Sequence, residues 1–71
     1  MDENFGTQLK RLRLSEGLTQ KELAIKANVS FMTINLIEKE KVKPKPLTAS
    51  KIARALGHNI VIGKNNIITI E

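Results

Sequence analysis

The segment between residues 19 and 38 restricts the fold of this chain more than any other segment, because it contains the start signals of two short helices close together. Thr19 and Glu22 have the spacing of a capping box, in which each side chain binds the main-chain amide of the other residue. A helix is therefore predicted to begin at Gln20. Asn28 tolerates the left-handed conformation that ends a helix, so it marks the point at which the chain reverses.

A second short helix is predicted after this turn, running from Phe31 towards Lys39. Ser30 supplies a hydroxyl that can bind the free amides of its first turn. With 100° per residue, Ile34 and Ile37 fall on one side of the helix. Met32, Asn35 and Leu36 point the opposite way, and Phe31 lies at the exposed N-terminal end, so this outer surface is unusually apolar for a solvated one.

The composition limits the classes of partner and compartment. The 71 residues suffice for one domain with a small core, and the absence of cysteine excludes disulfides and thiolate metal sites. A formal charge of +5 and a pI near 9.9 favour a polyanionic partner. Trp and Tyr are absent, so the stacking platforms of single-strand binders are lacking and duplex DNA is the better expectation. An acidic start and the lack of a long apolar run lead us to expect a soluble protein of the cytoplasm, without membrane contact.

A first helix is predicted upstream of the two helices in residues 19–38. Asn4 is a good N-cap, and Phe5, Leu9 and Leu12 recur at helical spacing before Gly17 ends the helix.

The second of these two helices is followed by a basic loop, residues 39–46, in which two prolines block helix continuation. Pro46 suits the first turn of a fourth helix, and Gly57 is expected to end it. The inner stripe of this helix is predicted to comprise Leu47, Ile52, Ala53 and Leu56.

The last part of the chain changes character. β-branched residues occur in two short runs on either side of residues 63–66, which predicts a two-stranded β-hairpin. We therefore divide the chain into a helical domain of residues 1–57 and a hairpin of residues 58–71. An isolated hairpin is marginal in water, so something must cover one face or pair an edge. One hypothesis is dimerisation, edge to edge or face to face, through Ile60, Ile62, Ile68 and Ile70. The alternative is a hairpin folded entirely onto its own helices.

Taken together, these residues resemble the Cro/repressor class of helix-turn-helix domains, the XRE family. The resemblance runs from about Phe5 to Gly57 and rests on LRLSEGLTQKELAIKANVS and TINLIEKEKVKPKPLTASKIARALG. The composite order of TQ-x-ELA, VS, I-x-x-IE and KIA-x-ALG is specific, whereas each motif alone is weak. The resemblance implies a mostly α fold, a compact bundle of four or five short helices, which binds double-stranded DNA as a symmetric homodimer.

Individual roles follow from the resemblance where the residues match. Gln20 is similar to a glutamine that grips a phosphate and supports the recognition helix, and Thr33 matches a position that contacts the DNA backbone. Arg13 and Glu38 match an ion pair that ties helix one to the end of the recognition helix. Independently of the family, a carboxylate beside the apolar side of its helix needs a partner. Further backbone contacts are assigned to Lys21, Ser30, Lys39, Lys41, Lys43 and Lys45. For the four loop lysines, the alternative is a solvated loop kept basic for solubility.

The outward side of the recognition helix departs from the family pattern. Phe31, Met32 and Leu36 replace long polar side chains, so they cannot read bases through hydrogen bonds. Apolar groups can pack on thymine methyls, and Asn35 can pair with adenine. The predicted base-contacting set is Phe31, Met32, Asn35 and Leu36, and we expect an A·T-leaning, shape-dependent site.

The leading hypothesis is a transcriptional regulator, an autoregulatory repressor that binds a (pseudo)palindromic operator. One alternative is an antitoxin that holds a toxin partner and represses its own operon, since the C-terminal strand somewhat resembles HipB-type antitoxins. Another is a protein-binding adaptor that has lost DNA recognition. We expect no enzyme, cofactor or metal, because His58 lies in no catalytic motif and the acidic residues lack metal-ligand spacing. Leu14 and Ile25 fall on the outside of their helices, where they should pack beneath the hairpin or face a protein partner.

Overall fold

The computed structural model describes residues 4–71 and contains four α-helices followed by a β-hairpin. The two strands are antiparallel neighbours in one sheet. This confirms the predicted mostly α fold with a C-terminal hairpin. None of the helices in residues 4–71 combines the length and the apolar character that spanning a bilayer requires. The elements are α1 Phe5–Ser15, α2 Gln20–Ala27, α3 Phe31–Glu38, α4 Pro46–Ala55, β1 Ile60–Ile62 and β2 Ile68–Ile70.

The helix starts of the central pair are those that the sequence predicts. Thr19 Oγ1 accepts a hydrogen bond from the Glu22 amide at 3.0 Å, and Glu22 Oε1 accepts one from the Thr19 amide at 2.8 Å. Ser30 Oγ accepts from the Thr33 amide at 3.0 Å. Asn28 lies between the helices with φ 58°, in the left-handed region that a helix-ending residue requires. Local sequence therefore fixes the turn between α2 and α3.

The outer helices also begin and end where expected. Asn4 caps α1 through its side chain, and Pro46 is the first residue of α4. Gly17 and Gly57 follow the two helices with φ 71° and 79°, which a residue with a side chain rarely adopts.

One core joins the four helices to the hairpin. Each of the four helices contributes to its largest fully buried side chains. These are Leu9, Leu23, Ile34, Ile37 and Ile52. At Gly6, α1 lies so close to α3 that an added Cβ would be 2.3 Å from the carbonyl oxygen of Ile37. Only glycine allows α1 to pack so tightly on α3, which sets the position of α3.

The predicted inner stripe of α4 was wrong at one residue. Leu47 is 70% exposed, whereas Ile52, Ala53 and Leu56 are buried together with Ala49. Leu47 lies five residues before Ile52, which places it about 140° away around a helix of 3.6 residues per turn. The helical period therefore turns Leu47 to solvent and brings Ala49 inward.

The hairpin packs one face on its own domain. Ile70 is buried in the core, and Ile60 and Ile68 pack against it. Ile60 pairs with Ile70 and Ile62 with Ile68, so all four point to the same face. The side chains assigned to dimerisation thus face the helices of their own chain, and only Ile62, 50% exposed, remains largely open. The physical reason is that the hairpin needs a covered face, and α1 and α4 supply it.

Leu14 and Ile25 do not lie beneath the hairpin. Both side chains are exposed large hydrophobics. The expectation of intramolecular packing is therefore wrong for both, because the hairpin contacts α1 and α4 at other positions.

Candidate nucleic-acid interface

The helix α3 is anchored on one side and open on the other. Ile34 and Ile37 are buried in the core, while Phe31 is 45% exposed and Met32 55% exposed. Asn35 and Leu36 are only partly exposed. The first turn of α3 therefore presents an apolar surface, and the partly exposed Asn35 and Leu36 lie next to it on the following turn.

A run of cationic side chains follows α3 directly. The basic loop leaves the helix through main-chain bonds, with the Lys41 amide donating to the carbonyl of Leu36 at 2.9 Å. These bonds fix the start of the loop relative to the helix. Lys21 on α2 is exposed, and so are the four lysines of the loop. These four are Lys39, Lys41, Lys43 and Lys45.

The structure brings together Arg13 and Glu38, from α1 and the end of α3. Arg13 Nε lies 2.6 Å from Glu38 Oε2, and Nη2 lies 2.9 Å from Oε1, so the pair is bidentate. A third donor, Nη1, binds the carbonyl of Leu18 at 2.7 Å. The Glu38 side chain is 3% exposed. The pKa of Arg13 is raised, chiefly by the hydrogen bonds to Glu38, so Arg13 remains protonated.

Two further polar side chains extend this ion pair towards the open side of α3. Gln20 Nε2 donates to Glu38 Oε1 at 3.0 Å, and Asn35 Nδ2 donates to Gln20 Oε1 at 3.0 Å. We call the chain of four residues Arg13, Glu38, Gln20 and Asn35 the polar relay. Gln20 thus bonds both to Glu38 at the end of α3 and to Asn35 in the middle of that helix.

The link between Gln20 and Asn35 is the part that sequence reasoning missed. One signal was present, since Asn35 and Glu38 are three residues apart and therefore neighbours on a helix surface. A residue that binds Glu38 is then also near Asn35. The sequence alone did not show that Gln20 reaches both.

The start of α3 carries a second small polar contact. The hydroxyl oxygens of Ser30 and Thr33, both assigned to the DNA backbone, lie 2.7 Å apart. Ser30 is exposed and Thr33 is partly buried. Their hydroxyl groups therefore lie beside the exposed first turn of α3.

Residues 4–71 contain no group of three or more His, Cys, Asp or Glu side chains placed to hold a metal ion. His58 Nδ1 lies 2.6 Å from the main-chain oxygen of Glu71, which joins the end of α4 to the end of the hairpin.

Several proteins of known sequence are similar to this chain. An uncharacterized HTH-type transcriptional regulator from Methanothermobacter thermautotrophicus is 43% identical over 51 residues, covering 72% of this chain and 74% of that protein. Another from Archaeoglobus fulgidus is 41% identical over 54 residues, covering 76% and 77%. Multiprotein-bridging factor 1 from Saccharomyces cerevisiae is 34% identical over 67 residues, which are 94% of this chain but 43% of that protein.

A solved structure shows the same fold. The crystal structure of an HTH_3 family transcriptional regulator from Vibrio cholerae matches with a TM-score of 0.72 and 36% identity, over 75% of this chain and 30% of that one. A helix-turn-helix family model matches residues 9–60. The chain therefore belongs to the HTH_3 helix-turn-helix family, of the Cro/C1/XRE type.

Proposed function

We propose that this chain is a transcriptional regulator that binds double-stranded DNA with the outward side of α3 in the major groove. The observation that carries the proposal is the pairing of two features: α3 is locked to the core by Ile34 and Ile37, and its open side is followed at once by four exposed lysines. A rigid helix beside a cationic loop matches the shape and charge of a duplex groove flanked by phosphates.

Base contacts in this proposal come from one side of α3. The exposed side chains of Phe31 and Met32 pack against thymine methyl groups, and Leu36 lies behind them. Asn35 is the member of this set with a polar side chain. The preferred site is therefore A·T-leaning and depends partly on the shape of the duplex.

Contacts with the DNA backbone come from the elements on either side. Lys39, Lys41, Lys43 and Lys45 neutralise phosphates from the loop, and Lys21 does so from α2. The remaining amide proton of Gln20 and the hydroxyls of Ser30 and Thr33 add neutral hydrogen bonds. These contacts set the position of α3 and carry no sequence information themselves.

The dimer in this proposal forms along the outer edge of β1. The Gly63 amide donates to the carbonyl of Ile67, and the Glu71 amide donates to the carbonyl of Asn59. Along an antiparallel pair, hydrogen-bonded and non-hydrogen-bonded residue pairs alternate. The main-chain groups of Ile60 and Ile62 therefore point away from β2. Within residues 4–71 these groups have no hydrogen-bond partner.

The other edge of the hairpin is occupied at Ile70. The side-chain amide of Gln8 accepts from the Ile70 amide at 2.8 Å and donates to the Ile70 carbonyl at 3.3 Å. An open strand edge is a template for pairing, so a second β1 related by a two-fold axis would complete a four-stranded sheet. Two recognition helices related in this way suit a (pseudo)palindromic operator.

Repression is the regulatory outcome that this arrangement favours. A dimer that covers one operator obstructs other proteins at the same site, and autoregulation follows when the operator lies before its own gene. The names of the relatives from M. thermautotrophicus and A. fulgidus, both HTH-type transcriptional regulators, support a role in transcription.

Selection of bound duplexes from a random-sequence pool tests the proposal. We expect A·T-rich half-sites related by two-fold symmetry. Substituting Lys41→Ala and Lys43→Ala together should abolish recovery of DNA at moderate salt, whereas Lys51→Ala, an exposed lysine of α4, should not. Failure of the unmodified protein to retain any duplex would instead favour the adaptor, whose partner would use the exposed Phe31 and Met32.

The dimer is tested by molar mass in solution. Ile62→Pro removes an outward N–H from the β1 edge without removing a bond between the two strands, so it should give a monomer. The matched control is Ile67→Lys, which changes an exposed apolar side chain beside the turn and should leave the dimer intact. Dissociation by Ile67→Lys alone would indicate face-to-face contact instead.

A further inference from the structure

We infer that Glu38 acts through Gln20 to fix which atoms of the Asn35 carboxamide face the DNA, and that this makes Asn35 select adenine over guanine. The inference rests on the proposed function, because it requires α3 to lie in the major groove. It adds a mechanism of specificity in which Glu38 and Gln20 are positioning residues that need not touch a base.

The first step is the orientation of Gln20. Both oxygens of Glu38 are held by Arg13, at 2.6 and 2.9 Å, and a carboxylate in that state only accepts hydrogen bonds. The group of Gln20 that lies 3.0 Å from Glu38 Oε1 must therefore be the Nε2 amide. A reversed carboxamide would place two oxygens against each other, so the charge on Glu38 determines which way Gln20 points.

The second step is the orientation of Asn35. Once Gln20 is oriented, its Oε1 is the atom that faces Asn35, and an oxygen of this kind only accepts. Asn35 must therefore donate from Nδ2, as the 3.0 Å contact shows. One of its two amide protons is used inside the protein. The atoms left for a ligand are Oδ1 and a single proton on Nδ2.

The third step is the match to a base. Adenine presents one acceptor, N7, and one donor, the N6 amino group, whereas guanine presents two acceptors, N7 and O6. A carboxamide with one proton and one oxygen available pairs with both groups of adenine. It cannot supply two protons to guanine, because Gln20 already holds the second. The polar relay thus removes the arrangement in which Asn35 would donate one proton to guanine N7 and another to guanine O6.

Duplex selection with four variants tests this inference. With the unmodified protein, we expect at least about a tenfold preference for A over G at one position in each half-site. Gln20→Met keeps the length of the side chain and removes both bonding atoms, so the preference should fall to about threefold or less. Asn35→Ala should have the same effect, and the double variant should show no further loss. The control Lys21→Met should weaken binding to all duplexes equally and leave the preference unchanged.

The outcomes separate this inference from the proposed function. If Gln20→Met binds DNA with the A preference intact, the relay does not set specificity, although DNA binding stands. If the unmodified protein selects no duplex, both fail together. A loss of preference shared by Lys21→Met would also overturn the inference, because the effect would then follow affinity alone.

A measurement on the free protein tests the relay without DNA and without any variant. In NMR spectra, one of the two Nδ2 protons of Asn35 should exchange with water more slowly than the other, because it is bound to Gln20. Equal and fast exchange of both protons would overturn the inference.

Discussion

At the scale of single residues, the buried ion pair between Arg13 and Glu38 joins α1 to the end of α3. Arg13 and Glu38 are almost completely removed from water, so neither charge has solvent to replace its partner. The pKa of Arg13 is raised, so the stabilisation from its charge is present below its ordinary pKa and is lost only as pH rises through the higher folded-state value. Between about pH 6 and 9, Arg13 therefore contributes no change in stability.

Removing one partner of this pair should destabilise the fold rather than only weaken DNA binding. Arg13→Ala leaves the Glu38 carboxylate buried without its main partner, so we expect the free energy of unfolding to fall by about 3–5 kcal/mol. Urea denaturation followed by circular dichroism measures this loss. Lys10→Ala, at an exposed position of the same helix, is the control and should change stability by less than about 0.5 kcal/mol.

Replacing both partners should be less damaging than removing one. The double variant Arg13→Met with Glu38→Leu has no stranded charge, so it should unfold at higher urea than Arg13→Ala. An Arg13→Ala protein with unaltered stability but weaker DNA binding would show that this residue acts at the interface instead.

At the scale of elements, the contact between α1 and α3 at Gly6 has no room for a side chain. The carbonyl of Ile37 occupies the space in which a side chain at position 6 would stand. Since α3 carries the proposed base contacts, a shift of α1 at this point would also displace them. The glycine is therefore a packing requirement of the interface, even though it lies on another helix.

Gly6→Ala should destabilise the protein. Alanine is the better helix former by about 1 kcal/mol, but its Cβ would overlap Ile37, and overpacking of this kind costs about 1–3 kcal/mol. A lower thermal midpoint is the expected result. The control is Gly63→Ala, where the added Cβ would lie 3.7 Å from the nearest carbonyl oxygen, an ordinary contact. A higher midpoint for Gly6→Ala would show that α1 and α3 are farther apart than described.

The exposed and the buried side of α4 should respond differently when a side chain is shortened. Leu47→Ala removes an exposed side chain and should change the free energy of unfolding by less than about 0.5 kcal/mol. Ile52→Ala opens a cavity in the core and should lower it by about 2–5 kcal/mol. Urea midpoints of the two variants compare them directly. Similar losses of unfolding free energy for both variants would show that Leu47 is part of the core.

At the scale of the whole molecule, charge is distributed unevenly about α3. The chain has a formal charge of +5, and four of its exposed lysines lie in the short loop after α3. A cationic surface of this kind attracts a duplex over a distance set by ionic strength. Binding should therefore depend strongly on salt.

The salt dependence can be given a magnitude. If about three loop lysines in each chain of a dimer contact phosphates, log affinity should fall with log salt concentration at a slope of roughly −5, from about −0.9 per contact. Fluorescence anisotropy with a selected duplex at several salt concentrations measures the slope. Lys43→Ala should make it shallower by about 2, one contact in each chain. A flat dependence would mean that the loop is solvated and does not contact the backbone.

Local sequence determined most of the helical framework. The capping residues Thr19 and Ser30, and the reversal at Asn28, act through bonds to their own neighbours, so the helix-turn-helix could be predicted without tertiary contacts. The need for a partner at Glu38 could also be predicted, because a carboxylate on the edge of an apolar helix face requires one, and the family resemblance supplied Arg13 as that partner.

Only the tertiary structure decided where side chains from distant segments meet. The sequence offers two β strands with apolar residues on both sides, and it was the packing of Ile60, Ile68 and Ile70 on α1 and α4 that chose the covered face. Likewise, Gln20 reaches Asn35 because α2 and α3 cross at a particular position, and the spacing of Asn35 and Glu38 alone does not show that Gln20 contacts both. Hydrogen bonds within one turn follow from the order of residues, whereas contacts between elements depend on how whole surfaces fit together.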